Sequence, residues 1–164
     1  MESPSAAEHV EVAARPAGFD DWDGLLALLR ESFAYMDGRI DPPSSLHSFD
    51  AAKLAAKAAE EDLVLAFVDG RLAGCLFAAP RGAALYLGKI AVKPGLQGRG
   101  IARRLFEFAE AGARARGFKA LELQARIELV ENHRAFQALG FVKTGEGRHP
   151  GCDRSTDVNF HKTL

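Results

Sequence analysis

Apolar and polar residues alternate along the chain in patterns that change period several times. EVAAR (11–15) reads as a short first strand, ended by Pro16 and Gly18. Trp22, Leu25, Leu26, Leu29 and Phe33 then recur at helical spacing behind Asp20 or Asp21, either of which offers an N-cap. AYMDGRIDPPSS (34–45) is a loop, and an alanine-rich helix follows to about Glu60. LVLAFV and RLAGCLFAA flank Asp69-Gly70, a dipeptide that accepts a type I′ turn, so residues 63–79 predict a hairpin. ALYLGKIAV (84–92) is a further strand, ended by Lys93-Pro94-Gly95. From Gln97 to Arg116 the residues Ile101, Leu105, Phe108 and Ala109 keep helical spacing, and Gly117 supplies a C-cap. KALELQA (119–125) predicts a strand, ENHRAFQAL (131–139) a helix closed by Gly140, and FVKTG and TDVNFHKTL two last strands.

The order β-α-α-β-β-β-α-β-α-β-β predicts an α/β (α+β) domain with a single mixed sheet. A tail over residues 1–8 and one domain over 9–164 are expected, with no internal repeat or low-complexity linker. At 164 residues roughly two thirds of the surface of the unfolded chain can be buried on folding, enough for a core without a staple. Cys75 and Cys152 lie far apart with no CxxC and no Cys/His cluster, so two reduced thiols and no metal site are expected. The net charge of −1 gives no broad basic field for nucleic acid or anionic membrane. The N-terminus lacks the basic head and apolar stretch of a signal peptide, and no apolar run approaches a membrane span, which leads us to expect a cytoplasmic protein.

KIAVKPGLQGRGIARRL (89–105) carries the chemistry. An apolar strand ends, Gly95, Gly98 and Gly100 follow, and a helix begins at once. Glycines let backbone approach a ligand closely, and the unpaired amides of a first helical turn attract anions, phosphate above all. A Walker A loop needs GK[ST] where this chain has Gly100-Ile101-Ala102, and the dinucleotide fingerprint lacks its third small residue.

Gln97-Gly98-Arg99-Gly100-Ile101-Ala102 resembles the Q/R-x-x-G-x-G/A motif of the GNAT superfamily of acyl-CoA-dependent N-acyltransferases, and ENHRAFQALGF resembles the family's second motif. The resemblance covers about residues 63–144. It implies a sheet splayed between the strands at 85–92 and 119–125 and flanked by helices, with acetyl-CoA as cosubstrate lying in the gap. Backbone groups of Ile90, Ala91 and Val92 would pair with the pantetheine amides, and the diphosphate would sit on the turn from Gln97 through Gly98, Arg99, Gly100, Ile101, Ala102 and Arg103. Arg103 or Arg104 would add charge, and Asn132 and Phe136 would flank the pantetheine end.

The same resemblance implies direct acetyl transfer to a primary amine, on a small polar molecule or a peptide N-terminus. An amine of pKa near 10 is protonated about a thousandfold over at pH 7, so a base or a desolvating pocket is required. Glu122 matches a glutamate that serves as base in ribosomal-protein N-terminal acetylases, and Tyr86 is a second group to contact the amine. The residues alone allow Glu122 as a solvated strand residue and Tyr86 as a core aromatic. An amide near Ala91 or Val92 is the expected oxyanion donor. Phe136 departs from the pattern, because many members have there a tyrosine that protonates the leaving sulfur; water, Tyr35 or Tyr86 would take its place. The acceptor is expected between two polar loops, one with Tyr35, Met36, Asp37, Arg39 and Asp41, the other with Arg148, His149, Asp153 and Arg154. Three other readings stand beside this one. The first is a member of the family that binds acyl-CoA as a sensor without turnover, the second a nucleotide-phosphate enzyme using the same glycine-rich turn, and the third a nucleic-acid partner, which the charge disfavours. Homodimers are common in the family, but no residue marks an interface.

Overall fold

The structure is a computed structural model that describes residues 9–164; the expected tail lies outside the described residues. In chain order the elements are β1 (Val10–Ala14), α1 (Trp22–Phe33), α2 (Ala51–Glu60), β2 (Asp62–Val68), β3 (Arg71–Arg81), β4 (Ala84–Val92), α3 (Ile101–Ala115), β5 (Ala120–Arg126), α4 (Val130–Ala138), β6 (Val142–Gly147) and β7 (Asp157–Thr163). The strands form one sheet in the order β1-β2-β3-β4-β5-β7-β6. Its pairs are antiparallel except β4 with β5, which run parallel. The predicted order of elements and the mixed sheet both match.

Local chemistry sets the boundaries. The Asp21 carboxylate accepts the Gly24 amide at the head of α1, and the Asp50 carboxylate accepts the Lys53 amide at the head of α2. Asp69 and Gly70 both have positive φ, 50° and 79°, as a type I′ turn between β2 and β3 requires. Gly117, at φ 82°, lets the Phe118 amide fold back onto the Ala113 carbonyl and end α3. The helix predicted from Gln97 begins at Ile101 instead, because Gly98 and Gly100 take φ of 79° and 78° and hold residues 97–100 in a turn.

Each face of the sheet has its own core. Leu76, Leu85, Leu87, Leu121, Leu123 and Phe160 pack under Ile101 and Leu105 of α3, while Leu65, Cys75 and Phe77 pack under Leu25 and Leu29 of α1 and Leu54 of α2. The β3–β4 register shifts between Cys75 and Phe77, and across from it Lys89 has φ 46°. This bulge turns Ala91 into the α1/α2 core while Leu85 and Leu87 face α3. Gly74 allows close packing, because a Cβ there would stand 2.9 Å from the Ala91 carbonyl oxygen and 3.2 Å from Leu105.

The parallel pairing is short. Only Ala84–Tyr86 pair with Ala120–Glu122, and beyond that rung the strands diverge, leaving Leu87–Val92 without a partner on that side. The expected splay is present.

Candidate functional site

The divergence opens a cleft of about 350 Å3. One wall is β4, with Gly88, Lys89, Ile90, Ala91 and Val92, and the other is β5, with Gln124, Ala125 and Arg126. Leu129, Asn132 and Phe136 close it from the α4 side, Gln97, Ala102 and Phe106 from the α3 side, and Ser32, Phe33, Tyr35 and Met36 from the end of α1. Of the residues expected around a carrier, Ile90, Ala91, Val92, Gln97, Ala102, Asn132 and Phe136 are thereby brought together.

The backbone of β4 is half used. The Lys93 amide donates to Ala73 of β3 and the Ala91 carbonyl faces Gly74, so strand alternation turns the backbone groups of Ile90 and Val92 toward the cleft. The buried Ser32 hydroxyl donates to the Val92 carbonyl at 3.0 Å, fixing the end of α1 against the cleft.

At the head of α3 the first intrahelical bond runs from the Arg104 amide to the Gly100 carbonyl. The amides of Ile101, Ala102 and Arg103 precede it, with no side-chain cap and no acidic residue in the first turn. That contrasts with α1 and α2, which aspartates cap. A Cβ at Gly98 or Gly100 would meet no atom within 4 Å, so these positions border open space. An uncapped positive helix end beside an open glycine turn fits a diphosphate, and the unpaired edge of β4 fits an amide-bearing arm. Arg104 Nη1 donates to the Val10 carbonyl at 2.8 Å, which commits it to β1. Arg103 borders a small hollow with Glu107, Glu110 and Lys162.

On the α1/α2 face, β5 presents Glu122, Gln124 and Arg126 in succession. Glu122 stands on the last paired rung, opposite Tyr86, with Oε1 3.3 Å from His161 Nδ1. Neither Glu122 nor Tyr86 lines the cleft, but Gln124, one β-repeat further on, does. The Tyr86 hydroxyl lies 3.5 Å from Gln124 Oε1, and Gln124 Nε2 donates to Asn159 Oδ1 at 2.9 Å. Burial holds the Tyr86 phenol above its ordinary pKa even though the Arg81 guanidinium stacks 3.8 Å from its ring.

The loop after α1 is strapped across the open end. Tyr35 accepts a hydrogen bond from Asn132 Nδ2 at 2.9 Å, Arg39 pairs with Glu131 at 2.6 Å, and the Asp41 amide donates to Glu128 Oε2 at 2.9 Å. Arg154 bonds the Asp41 carboxylate from the far loop, also at 2.9 Å. The Arg39 guanidinium holds the Glu131 carboxyl below the usual carboxylate range. Asp37 pairs with His47 on a separate surface hollow. His149 Nδ1 lies 2.6 Å from Thr156 Oγ1 and 3.0 Å from Asp157 Oδ2, at the base of β7 and outside the cleft lining. Of Tyr35, Asp37, Arg39 and His149, then, only Tyr35 lines the cleft.

Lys89, Gln124, Arg126 and Ser32 escaped the reading of the sequence. A period-two signal was present at Glu122, Gln124 and Arg126, whose polarity alternates with the buried Leu121, Leu123 and Ala125. Lys89 is a charge inside an otherwise apolar strand. Phe136 packs edge-on to Phe106 and Phe141 with centroids 6.1 and 6.4 Å away, so its ring belongs both to the cleft and to an aromatic cluster. Among the described residues no helix is long and apolar enough to cross a membrane, and no group of three His, Cys, Asp or Glu is placed to hold a metal ion.

A family model described as acetyltransferase (GNAT) family matches residues 22–141. No curated protein matches the chain. Among solved structures, PaiA N-acetyltransferase from Thermoplasma acidophilum, in complex with coenzyme A, is similar with a TM-score of 0.79 at 18% identity, over 95% of this chain and 99% of that one. The ribosomal-protein-S18-alanine N-acetyltransferase from Escherichia coli gives 0.67 at 17%, over 94% of each chain. A GNAT family acetyltransferase from Elizabethkingia anophelis with acetyl-CoA bound gives 0.67 at 17%, over 94% of this chain and 98% of that one. At these identities the likeness is one of fold.

Proposed function

The chain belongs to the GNAT acetyltransferase family, whose cosubstrate is acetyl-CoA, and from that premise we propose that it transfers an acetyl group directly to a primary amine held in the cleft between β4 and β5. The observation that carries the reading is the conjunction of an unpaired β4 edge with an uncapped α3 N-terminus at one end of that cleft. Acetyl-CoA supplies the acyl group as an activated thioester.

The protein's own groups have distinct tasks. The amides of Ile101, Ala102 and Arg103 hold the diphosphate, with Gln97, Gly98, Arg99 and Gly100 shaping the turn around it. Ile90 and Val92 pair with the arm as a neighbouring strand would, and Asn132 and Phe136 flank it. The Val92 amide offers a donor to the carbonyl oxygen where negative charge develops. Glu122, oriented by His161, is the base; one β-repeat behind Gln124, it takes up the amine's proton through a bridging water. Tyr35, on the cleft wall and oriented by Asn132, donates a proton to the departing sulfur. A thiol of pKa about 8.5 leaving as thiolate at pH 7 forgoes about 2 kcal/mol, within what a general acid supplies.

The test is thiol release from acetyl-CoA with a panel of amines, coupled to mass detection of the acetylated product. Amine-dependent release is expected. Tight acetyl-CoA binding with no release across the panel would favour a sensor, and thermal stabilisation by ATP or NAD but not by CoA would overturn the cosubstrate assignment.

A further inference from the structure

Among the described residues, the charged ones lining the cleft are Lys89 on the β4 wall and Arg126 on the β5 wall, with no aspartate or glutamate. Neither cation has a task in holding the carrier, whose phosphates belong at the head of α3 and whose arm is uncharged. Each is also incompletely compensated by the protein.

Lys89 Nζ lies 4.3 Å from the centre of the Phe49 ring and forms no ion pair among the described residues. Its nearest basic neighbour, Lys57, already has Glu61 at 2.5 Å. Burial, with the nearby Lys57 charge, holds the Lys89 ammonium below the ordinary lysine pKa, with Glu61 opposing. On the opposite wall Arg126 Nη2 donates to the Pro43 carbonyl at 3.2 Å, while Nη1 is enclosed with no partner. Asp157 is 3.9 Å from Arg126 Nε and is engaged more closely by His149 and Thr156. Of the remaining carboxylates nearby, Glu122 faces His161 and Glu131 receives Arg39, while Glu128 receives the Asp41 amide at Oε2 and its Oε1, like Arg126 Nη1, is enclosed without a partner among the described residues, the two unpartnered atoms making no hydrogen bond to each other. An enclosed guanidinium nitrogen without an acceptor is costly to leave so, and a carboxylate matches its geometry.

We propose that the acceptor is a small amino carboxylate, an amine whose own carboxylate is received by Arg126 Nη1 from one wall with Lys89 contributing its charge from the other. This rests on the acetyl-transfer reading and adds the acceptor's class to it. Covalently, the amine nitrogen gains the acetyl carbon and gives up a proton to Glu122, the thioester C–S bond breaks, and the sulfur leaves with the proton Tyr35 supplies. Polyamines are disfavoured, because a second ammonium would meet two cations and no compensating carboxylate on the lining.

The experiment compares free amino acids with their carboxamides and their decarboxylated amines as acceptors, at fixed acetyl-CoA. For the best acid, kcat/KM is expected to exceed that of its carboxamide at least tenfold. Arg126→Gln and, separately, Lys89→Gln should erase most of that ratio by raising KM for the acid far more than KM for the carboxamide; Arg126→Lys should restore part of it. A lost strap at Pro43 alone would raise both KM values together. Equal or better rates with carboxamides, diamines or peptide N-termini would overturn the proposal. So would failure of every amino carboxylate to react with, or bind, protein that acetyl-CoA visibly stabilises. Failure of acetyl-CoA itself to bind would instead remove the underlying reading.

Discussion

Replacing Gly100 by valine separates the carrier site from the stability of the helix it opens. Gly100 has φ 78°, and a Cβ there meets no atom within 4 Å, so valine clashes with nothing in the protein. The folded state loses only the backbone preference, about 1–2 kcal/mol for an L-residue in the left-handed region and somewhat more for a β-branched one. For a chain of this size 1–2 kcal/mol corresponds to roughly 2–8 °C in Tm. The isopropyl group, however, projects into the space we assign to the diphosphate. Acetyl-CoA at a hundred times Kd stabilises wild type by about 2.7 kcal/mol, or roughly 5–11 °C. Gly117 is a matched control: it has φ 82° and open space around its Cβ, but stands at the other end of α3. Both valine variants should melt lower than wild type by similar amounts without ligand. In differential scanning fluorimetry Gly117→Val should keep the acetyl-CoA shift and Gly100→Val should lose it. An undiminished shift in Gly100→Val would refute the assignment of the α3 amides to the carrier.

Tyr35→Phe should lower kcat on the order of tenfold or more at pH 7 while leaving acetyl-CoA affinity intact, and the deficit should close above about pH 9, where the departing thiol no longer needs a proton; a deficit independent of pH would remove Tyr35 as the acid. Glu122→Gln should preserve acetyl-CoA binding and move the rise of the kcat/KM pH profile upward, and an unchanged profile would exclude Glu122 as base. Lys89 has its folded pKa depressed, so the unfolded chain binds its proton more readily and stability rises with pH between the folded value and the ordinary 10.5. Lys89→Met should therefore raise Tm at pH 7, by an amount that shrinks as pH approaches 10.5; a gain constant with pH would contradict the burial argument. Cys75 is fully buried and its thiol is pushed up to about 12, whereas Cys152 is partly exposed. Iodoacetamide at pH 8 should label Cys152 alone in the folded protein, and both thiols once it is unfolded.

The elements were legible where local chemistry decides them. Asp69-Gly70 admits one kind of turn, the aspartates before α1 and α2 act as caps wherever they stand, and Gly117 ends α3 whatever packs on it. The beginning of α3 was misplaced, since helical spacing continues back through Gln97 while the positive φ of Gly98 and Gly100 forbids the helix to follow it. The open edge of β4 and the uncapped start of α3 were legible because each is built from consecutive residues, although of residues 97–103 only Gln97 and Ala102 line the cleft.

The rest of the cleft is assembled from separate elements. Whether Asp37, Arg39 or His149 faces the cleft depends on which partner each finds, and His47, Glu131 and Thr156 claim them. The bulge at Lys89, which places that side chain at the parting of the strands, arises from the register of β3 against β4 and has no mark in the residues of β4 alone. Gln124 and Arg126 reach the cleft because β5 loses its neighbour after Glu122, a consequence of the splay.

A crystal structure of the protein with acetyl-CoA tests the central claim most directly. The account predicts the diphosphate on the amides of Ile101, Ala102 and Arg103 and the pantetheine arm running along the open edge of β4 toward Asn132. A carrier bound elsewhere on the surface, or β4 and β5 hydrogen-bonded to each other over Leu87–Val92, would contradict it.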